Sequence, residues 1–238
     1  LQGISLIIYD IQDVGARFYT YITTLGLVME AAAENGIPVL VLDRPNPLGG
    51  EKIEGPILDL DHQSFVGYYP IPIRYGMTIG ELAKMIVGEE WIRTIPELDV
   101  IEMSGWDRSM YFDDTGLTWV KPSPNIPDIE TAIIYPGMCL VEGTNISEGR
   151  GTDHPFKYIG APWMAEEVCM DLQGMKKLKG VEFIKRKFRP RPIKGVVNSP
   201  KYDGKSCIGF KVRVKDRAQY NSVLVGVQAL YTVRNLTP

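Results

Sequence analysis

The sequence is poor in the residues that most often build a cofactor site. Its three cysteines, Cys139, Cys169 and Cys207, lie far apart, with none of the close pairing of a zinc site or a CxxC redox pair. Its two histidines, His62 and His154, belong to no HExxH-type pattern, so no metal is expected. Glycine is plentiful but not patterned for phosphate. No GxGxxG follows the first apolar run and no GxxxxGK(S/T) occurs, which removes the usual cradles for dinucleotides and nucleoside triphosphates. There is no GxSxG elbow to present a serine, which weighs against a Ser-His-Asp hydrolase. An excess of positive charge is also missing: 26 Lys plus Arg against 29 Asp plus Glu leave a net charge of -3, without the basic stripe that a nucleic-acid partner requires. No run of about 18 apolar residues is present to span a membrane.

What the chain does contain is an α/β pattern. Its 238 residues, 45% of them hydrophobic, suffice for one large domain or two small ones. Residues 5–10 form a short apolar run of the type that makes a strand covered on both faces. Phe18, Ile22, Leu25, Val28, Met29 and Ala32 then recur at helical steps up to Gly36, and a second buried strand follows at residues 37–43. Strand, helix and strand in this order make a βαβ unit with parallel strands. Thr78 and Glu81 have the spacing of a capping box at the start of a helix, and residues 98–103 read as another strand. The alternation loosens between Ser104 and Lys121, which places a Rossmann-like domain at 1–110 and a smaller α+β domain at 111–238. In the second domain the pattern predicts a helix interrupted at Pro136 and Gly137, a helix near 165–177, strands near 181–187 and 207–214, and a final helix from about Ser222.

Open parallel sheets bind ligands beyond the carboxyl ends of their strands. Asp10 and Asp43, each the first polar residue after an apolar run, stand there, and Gln12, Asp13 and Arg17 follow in the first strand-to-helix loop. With the glycine-shaped segment Glu142–Thr152, these loops supply carboxylates, arginines, asparagines and aromatics, a set suited to a polyhydroxylated ligand. Carboxylates also carry out glycoside hydrolysis. Plainer roles fit the same residues: Asp10 and Asp13 as helix caps, Arg17 as a partner of Asp13, Asp43-Arg44 as a strand-end ion pair, and Arg150 tied to Glu148. Asn145-Ile-Ser147 and Asn235-Leu-Thr237 match the N-glycosylation pattern.

The segments DIQDVGARFYTYI, VLDRPNPLGG, EGP, RYGMTIGELA, GWDR, PSPNIP, YPG, EGTNISEGRGT, PF and GAPW occur in one order between Asp10 and Trp163. In that order and approximate spacing they resemble the exo-β-N-acetylmuramidase (NamZ) family, also known as a YbbC-like domain. The resemblance implies a glycoside hydrolase that removes N-acetylmuramic acid (MurNAc) from the non-reducing end of peptidoglycan fragments such as MurNAc-GlcNAc during cell-wall turnover and recycling. It implies no cofactor, a periplasmic or extracellular location, and a Rossmann-like domain beside a smaller one with the site in the cleft between them. It also implies that the main catalytic acid, the glutamate of a Glu-His-Gly motif, lies upstream of Leu1, so the 238 residues read as an excerpt that is inactive alone.

On this reading Asp10 and Asp13 position or activate the second reactant, either water or the substrate's acetamido group. Arg17, Arg44 or Arg150 pairs with the lactyl carboxylate of muramic acid. Asn46, Asn125, Glu142, Asn145 and Thr152 supply further contacts to the substrate, and Trp163 stacks on the sugar. The alternatives are a non-catalytic binder of cell-wall sugars and a phosphosugar or nucleotide enzyme on a Rossmann-like sheet.

Overall fold

A computed structural model describes residues 1–236 and divides the chain into two units, Leu1–Pro122 and Ser123–Pro238. Where the sequence places the change near residue 110, residues 104–121 stay with the first unit. The Gly50 amide donates to the Arg108 carbonyl at 2.7 Å, and the Phe112 amide to the Pro47 carbonyl at 3.2 Å.

The first unit is a parallel sheet of order β1-β2-β3, with β1 at Ile7–Tyr9, β2 at Val39–Leu42 and β3 at Leu98–Ile101. In register, Tyr9 lies beside Val41 and Val41 beside Val100, so these side chains share one face. That face is covered by α1 (Tyr21–Glu34) and α2 (Ile79–Gly88). Their Ile22, Leu25, Met29, Leu82, Ala83 and Ile86 form the core with Tyr9, Val39 and Val41. The opposite face corrects the expectation of a strand covered on both sides: Ile8 is 56% exposed and Ile101 57%. The apolar run of β1 is continuous in sequence, yet within it Tyr9 is buried, Ile7 partly buried and Ile8 exposed.

Both helices form for local reasons. α1 places apolar residues at three- and four-residue steps, and the chain turns at Gly36, whose φ of 64° is the left-handed value favoured after a helix. Its N-cap is Thr20, without a side-chain bond, so neither Asp10 nor Asp13 caps it. α2 begins with the capping box: Thr78 Oγ1 accepts from the Glu81 amide at 3.2 Å, and Glu81 accepts from the Thr78 amide at 3.0 Å.

The second unit is antiparallel, of order β4-β6-β5, with β4 at Tyr158–Ala161, β5 at Val181–Phe188 and β6 at Cys207–Val214, and with helices α3 (Ile129–Met138), α4 (Glu167–Gly174) and α5 (Ser222–Leu236). The interruption expected at Pro136 is absent, because α3 runs through it. Gly137 explains the pair: a Cβ there would sit 1.8 Å from the Ser222 carbonyl oxygen, and one at Gly226 would sit 2.3 Å from the Gly137 carbonyl oxygen. Two helices thus cross with their backbones in contact. The Gly137 amide donates to Ser222 Oγ at 2.8 Å, which offers it a partner outside its own helix. Among the described residues no helix is long and apolar enough to cross a membrane. Thr237, which completes the second glycosylation-type triplet, lies outside the described residues.

Candidate functional site

In the first unit the carboxyl ends of β1 and β2 deliver Asp10 and Asp43 to the same edge, and their fates differ. Asp43 is spent on the protein: its carboxylate accepts from Thr78 Oγ1 at 2.8 Å, the Gly80 amide at 2.7 Å and the Arg44 amide at 3.0 Å. It thereby fastens the N-terminus of α2 to the tip of β2. This contact needs glycine at position 80, where a Cβ would fall 2.6 Å from Val100 Cγ1 and 2.8 Å from Asp43 Cγ.

Asp10 is exposed and pairs with Arg44, whose Nε and Nη2 lie 2.7 and 2.6 Å from Oδ1. Both side chains line a cavity of about 460 Å³ whose wall also includes Asp43, Met103, Trp106 and Asp114. The volume falls within the range of small-molecule sites. Trp106 is half-buried on this wall, and its indole N–H is itself buried, with no acceptor among the described residues. The sequence reading did not single out Trp106. The signal for it was a lone tryptophan one residue after the glycine turn that follows β3, on the same strand-end edge as Asp10.

Directly after Asp10 in the chain the loop turns inward. Asp13 is 5% exposed; its Oδ2 accepts from the Gly15 amide at 2.7 Å and from the Tyr75 hydroxyl, and its Oδ1 has no hydrogen-bond partner. Burial raises its pKa to about 6, against the lowering effect of the bonds from Tyr75 and the Gly15 and Val14 amides. Arg17 uses Nη1 on the Pro56 and Ile71 carbonyls, at 2.8 and 2.5 Å. Asn46 is 4% exposed, with its amide nitrogen on the Met77 carbonyl at 2.8 Å and its oxygen accepting from the Leu48 amide at 3.0 Å. Gly15 packs against that side chain and allows no Cβ, which would stand 2.3 Å from Asn46 Oδ1. Asp13, Arg17 and Asn46 therefore shape the loops behind the cavity, and Asp10 with Arg44 forms its polar wall.

The second unit holds the remaining candidates, most of them in two places. Glu142 and Arg150 are an ion pair at 2.5 Å, with the guanidinium 5.2 Å from the centre of the Phe156 ring. Glu148, the other partner considered for Arg150, is buried and lies 3.2 Å from Lys201 Nζ. Lys201 also donates to the carbonyls of Val141, Glu142 and Ile146, and so ties this loop together. Thr152 closes a turn, donating to the Gly149 carbonyl at 2.7 Å and accepting from the His154 amide at 3.1 Å. Asn145 and Trp163 line a separate pocket of about 890 Å³. Ser147, which would complete a glycosylation triplet with Asn145, is 1% exposed. Asn125 follows Ser123, whose hydroxyl accepts from the Asn125 amide at 3.2 Å.

Comparison with known proteins adds what geometry alone does not provide. Residues 1–130 match the family model for the exo-beta-N-acetylmuramidase NamZ N-terminal domain, and residues 133–238 match its C-terminal counterpart. The chain is 47% identical over 238 residues to the peptidoglycan beta-N-acetylmuramidase NamZ of Bacillus subtilis (strain 168), and spans 55% of that protein's length. Among solved structures it resembles two DUF1343 family proteins of Bacteroides fragilis NCTC 9343. One is 36% identical with a TM-score of 0.88, covering 100% of this chain and 63% of the other. The second is 37% identical with a TM-score of 0.77, covering 92% and 57%.

Proposed function

We propose, because this chain belongs to the exo-β-N-acetylmuramidase NamZ family, that the protein containing it is a glycoside hydrolase releasing MurNAc from the non-reducing end of peptidoglycan fragments. MurNAc-GlcNAc is the proposed minimal substrate, and the periplasm or the cell exterior the proposed place of action. The observation that carries the reading is the exposed Asp10–Arg44 pair on the wall of a sugar-sized cavity at the strand tips.

Muramic acid differs from N-acetylglucosamine by a lactyl carboxylate, which calls for a guanidinium that solvent and ligand can reach. Arg44 fits best of the three candidate arginines, since Arg17 is pinned on carbonyls and Arg150 on Glu142. In this reading the substrate carboxylate takes the place of Asp10 on the Arg44 fork. The released Asp10 carboxylate then accepts a hydrogen bond from water or from the acetamido N–H and orients it toward the anomeric carbon. Cleavage also needs an acid to protonate the leaving oxygen. Asp13, though its pKa of about 6 suits proton transfer, is buried and held by Tyr75. The family resemblance implies instead a glutamate upstream of Leu1 as the proton donor, and we adopt that assignment.

The test uses the full-length protein and MurNAc-GlcNAc, with released MurNAc measured. Arg44→Gln should raise KM at least tenfold, a change of about 1.4 kcal/mol in ground-state binding, and Asp10→Asn should lower kcat. Wild-type values in both variants would remove the assignment. Since Asp10 and Asp13 are both already engaged within the protein, a non-catalytic sugar binder is the second reading. Saturable MurNAc binding without turnover by the wild type would select it.

A further inference from the structure

We infer that the second unit carries a muramyl-binding pocket of its own, with Trp163 as a fixed stacking plate and Arg234 as the anchor for the sugar's carboxylate. The ligand class rests on the muramidase reading; the pocket itself rests on geometry in this unit alone. It has a volume of about 890 Å³ and is walled by Asn145 and Ile146 from the loop before β4, Trp163 from the turn after it, and Leu230, Val233 and Arg234 from the last turns of α5.

Three features set it apart from an ordinary surface hollow. Trp163 is 39% exposed, yet its ring is not free to swing, because its indole N–H donates to Tyr202 Oη at 2.7 Å and Tyr202 in turn donates to the Asn145 carbonyl at 2.5 Å. A ring held in advance loses little conformational entropy when a sugar stacks on it. Tyr202 makes this link from a backbone with φ of 59°, a left-handed conformation that costs a bulky residue energy. Finally, Arg234 is exposed at this pocket and forms no ion pair among the described residues, whereas Arg150 in the same unit is held by Glu142.

The combination selects a ligand by its chemistry. An indole face packs on the C–H face of a pyranose, and the apolar wall of Ile146, Leu230 and Val233 receives an acetyl methyl group. The Asn145 amide suits the acetamido group or a ring hydroxyl, and an exposed guanidinium with no ion pair among the described residues suits an anion. An N-acetylated amino sugar bearing a carboxylate satisfies all four. An uncharged N-acetylglucosamine leaves Arg234 unanswered.

The test reads this pocket directly. The full-length protein is labelled with 5-fluorotryptophan, the Trp163 resonance is identified by its loss in Trp163→Phe, and free MurNAc or GlcNAc is titrated in. The Trp163 resonance should move saturably with MurNAc, with affinity at least tenfold above that for GlcNAc. Arg234→Gln, an exposed helix-surface change that leaves the fold intact, should abolish the difference between the two sugars. Tyr202→Phe, which frees the indole, should weaken both. A Trp163 resonance unmoved by MurNAc, or equal affinities for the two sugars in the wild type, overturns the inference. The two readings fail separately. Absence of MurNAc release from MurNAc-GlcNAc with the Trp163 shift intact removes the enzyme and keeps the pocket, whereas normal release with no shift does the reverse.

Discussion

Replacing Asp13 by asparagine should remove a weakness of the first unit that grows as pH rises. The carboxyl is buried, and its pKa is raised from 3.8 to about 6, chiefly by desolvation. A group whose folded pKa lies above its unfolded value contributes fully below the unfolded value and loses that contribution as pH climbs through the folded one. For Asp13 the window runs from about pH 4 to about pH 6, and the loss across it is about 3 kcal/mol. Asparagine can place its oxygen where Oδ2 stands and still accept from the Gly15 amide and the Tyr75 hydroxyl. Its NH₂ then occupies the position of Oδ1, which has no partner, at a pH-independent cost of about 1–3 kcal/mol. The variant should therefore be the less stable protein at pH 4, and its stability relative to wild type should improve by about 3 kcal/mol at pH 7.5. Urea unfolding at both pH values measures this difference, and a carboxyl ¹³C titration of Asp13 measures the pKa. Tyr75→Phe removes a bond that stabilises the carboxylate, and should push the Asp13 pKa higher still. Parallel pH profiles for wild type and Asp13→Asn would refute the argument, since they would mean that the carboxyl is ionised at no cost in the fold.

Gly80→Ala should destabilise the first unit by about 1–3 kcal/mol, because the new Cβ meets Val100 and the Asp43 carboxylate at under 3 Å; a lowered urea midpoint checks it. Arg74→Met should cost about 3–5 kcal/mol by removing the buried ion pair with Glu54, the two side chains being 4% and 2% exposed at 2.7 Å, while Arg74→Met with Glu54→Leu should recover most of the loss. Thermal midpoints of the two variants decide it. Ser222→Ala should cost about 1–3 kcal/mol, because the hydroxyl accepts from the Gly137 amide at 2.8 Å and donates to the Ile134 carbonyl at 2.9 Å where helices α3 and α5 cross. Hydrogen exchange should report it as faster exchange of the Gly137 amide.

Elements whose cause is local were legible in the sequence. The helical spacing from Ile22 to Ala32, the Thr78–Glu81 capping box, the apolar run that became β2 and the mixed apolar and charged segments that became β5 and β6 each carry their signal within about ten residues. Features caused at a distance were not. β4 has four residues, one of them Gly160, and exists because it pairs with β6, about fifty residues downstream. Pro136 reads as a helix breaker until Ser222 on another helix is brought to the neighbouring amide.

The candidate site divides along the same line, and the strand-tip acids show why. Asp10 and Asp43 look alike in sequence, each closing an apolar run before a polar loop. Asp43 meets Thr78 and Gly80, at the start of a helix whose apolar face must lie on the sheet, so packing brings amide donors to its carboxylate. Among the described residues Asp10 meets the guanidinium of Arg44, a partner that is partly exposed. A carboxylate held by fixed backbone amides has no exchangeable partner for a ligand to replace, whereas one held by an exposed arginine can trade that partner for a substrate carboxylate at little net cost. The proposed function therefore places chemistry at this edge of the sheet on Asp10 and Arg44, a distinction set by which helix arrives at which strand tip and invisible in the residues that flank either aspartate.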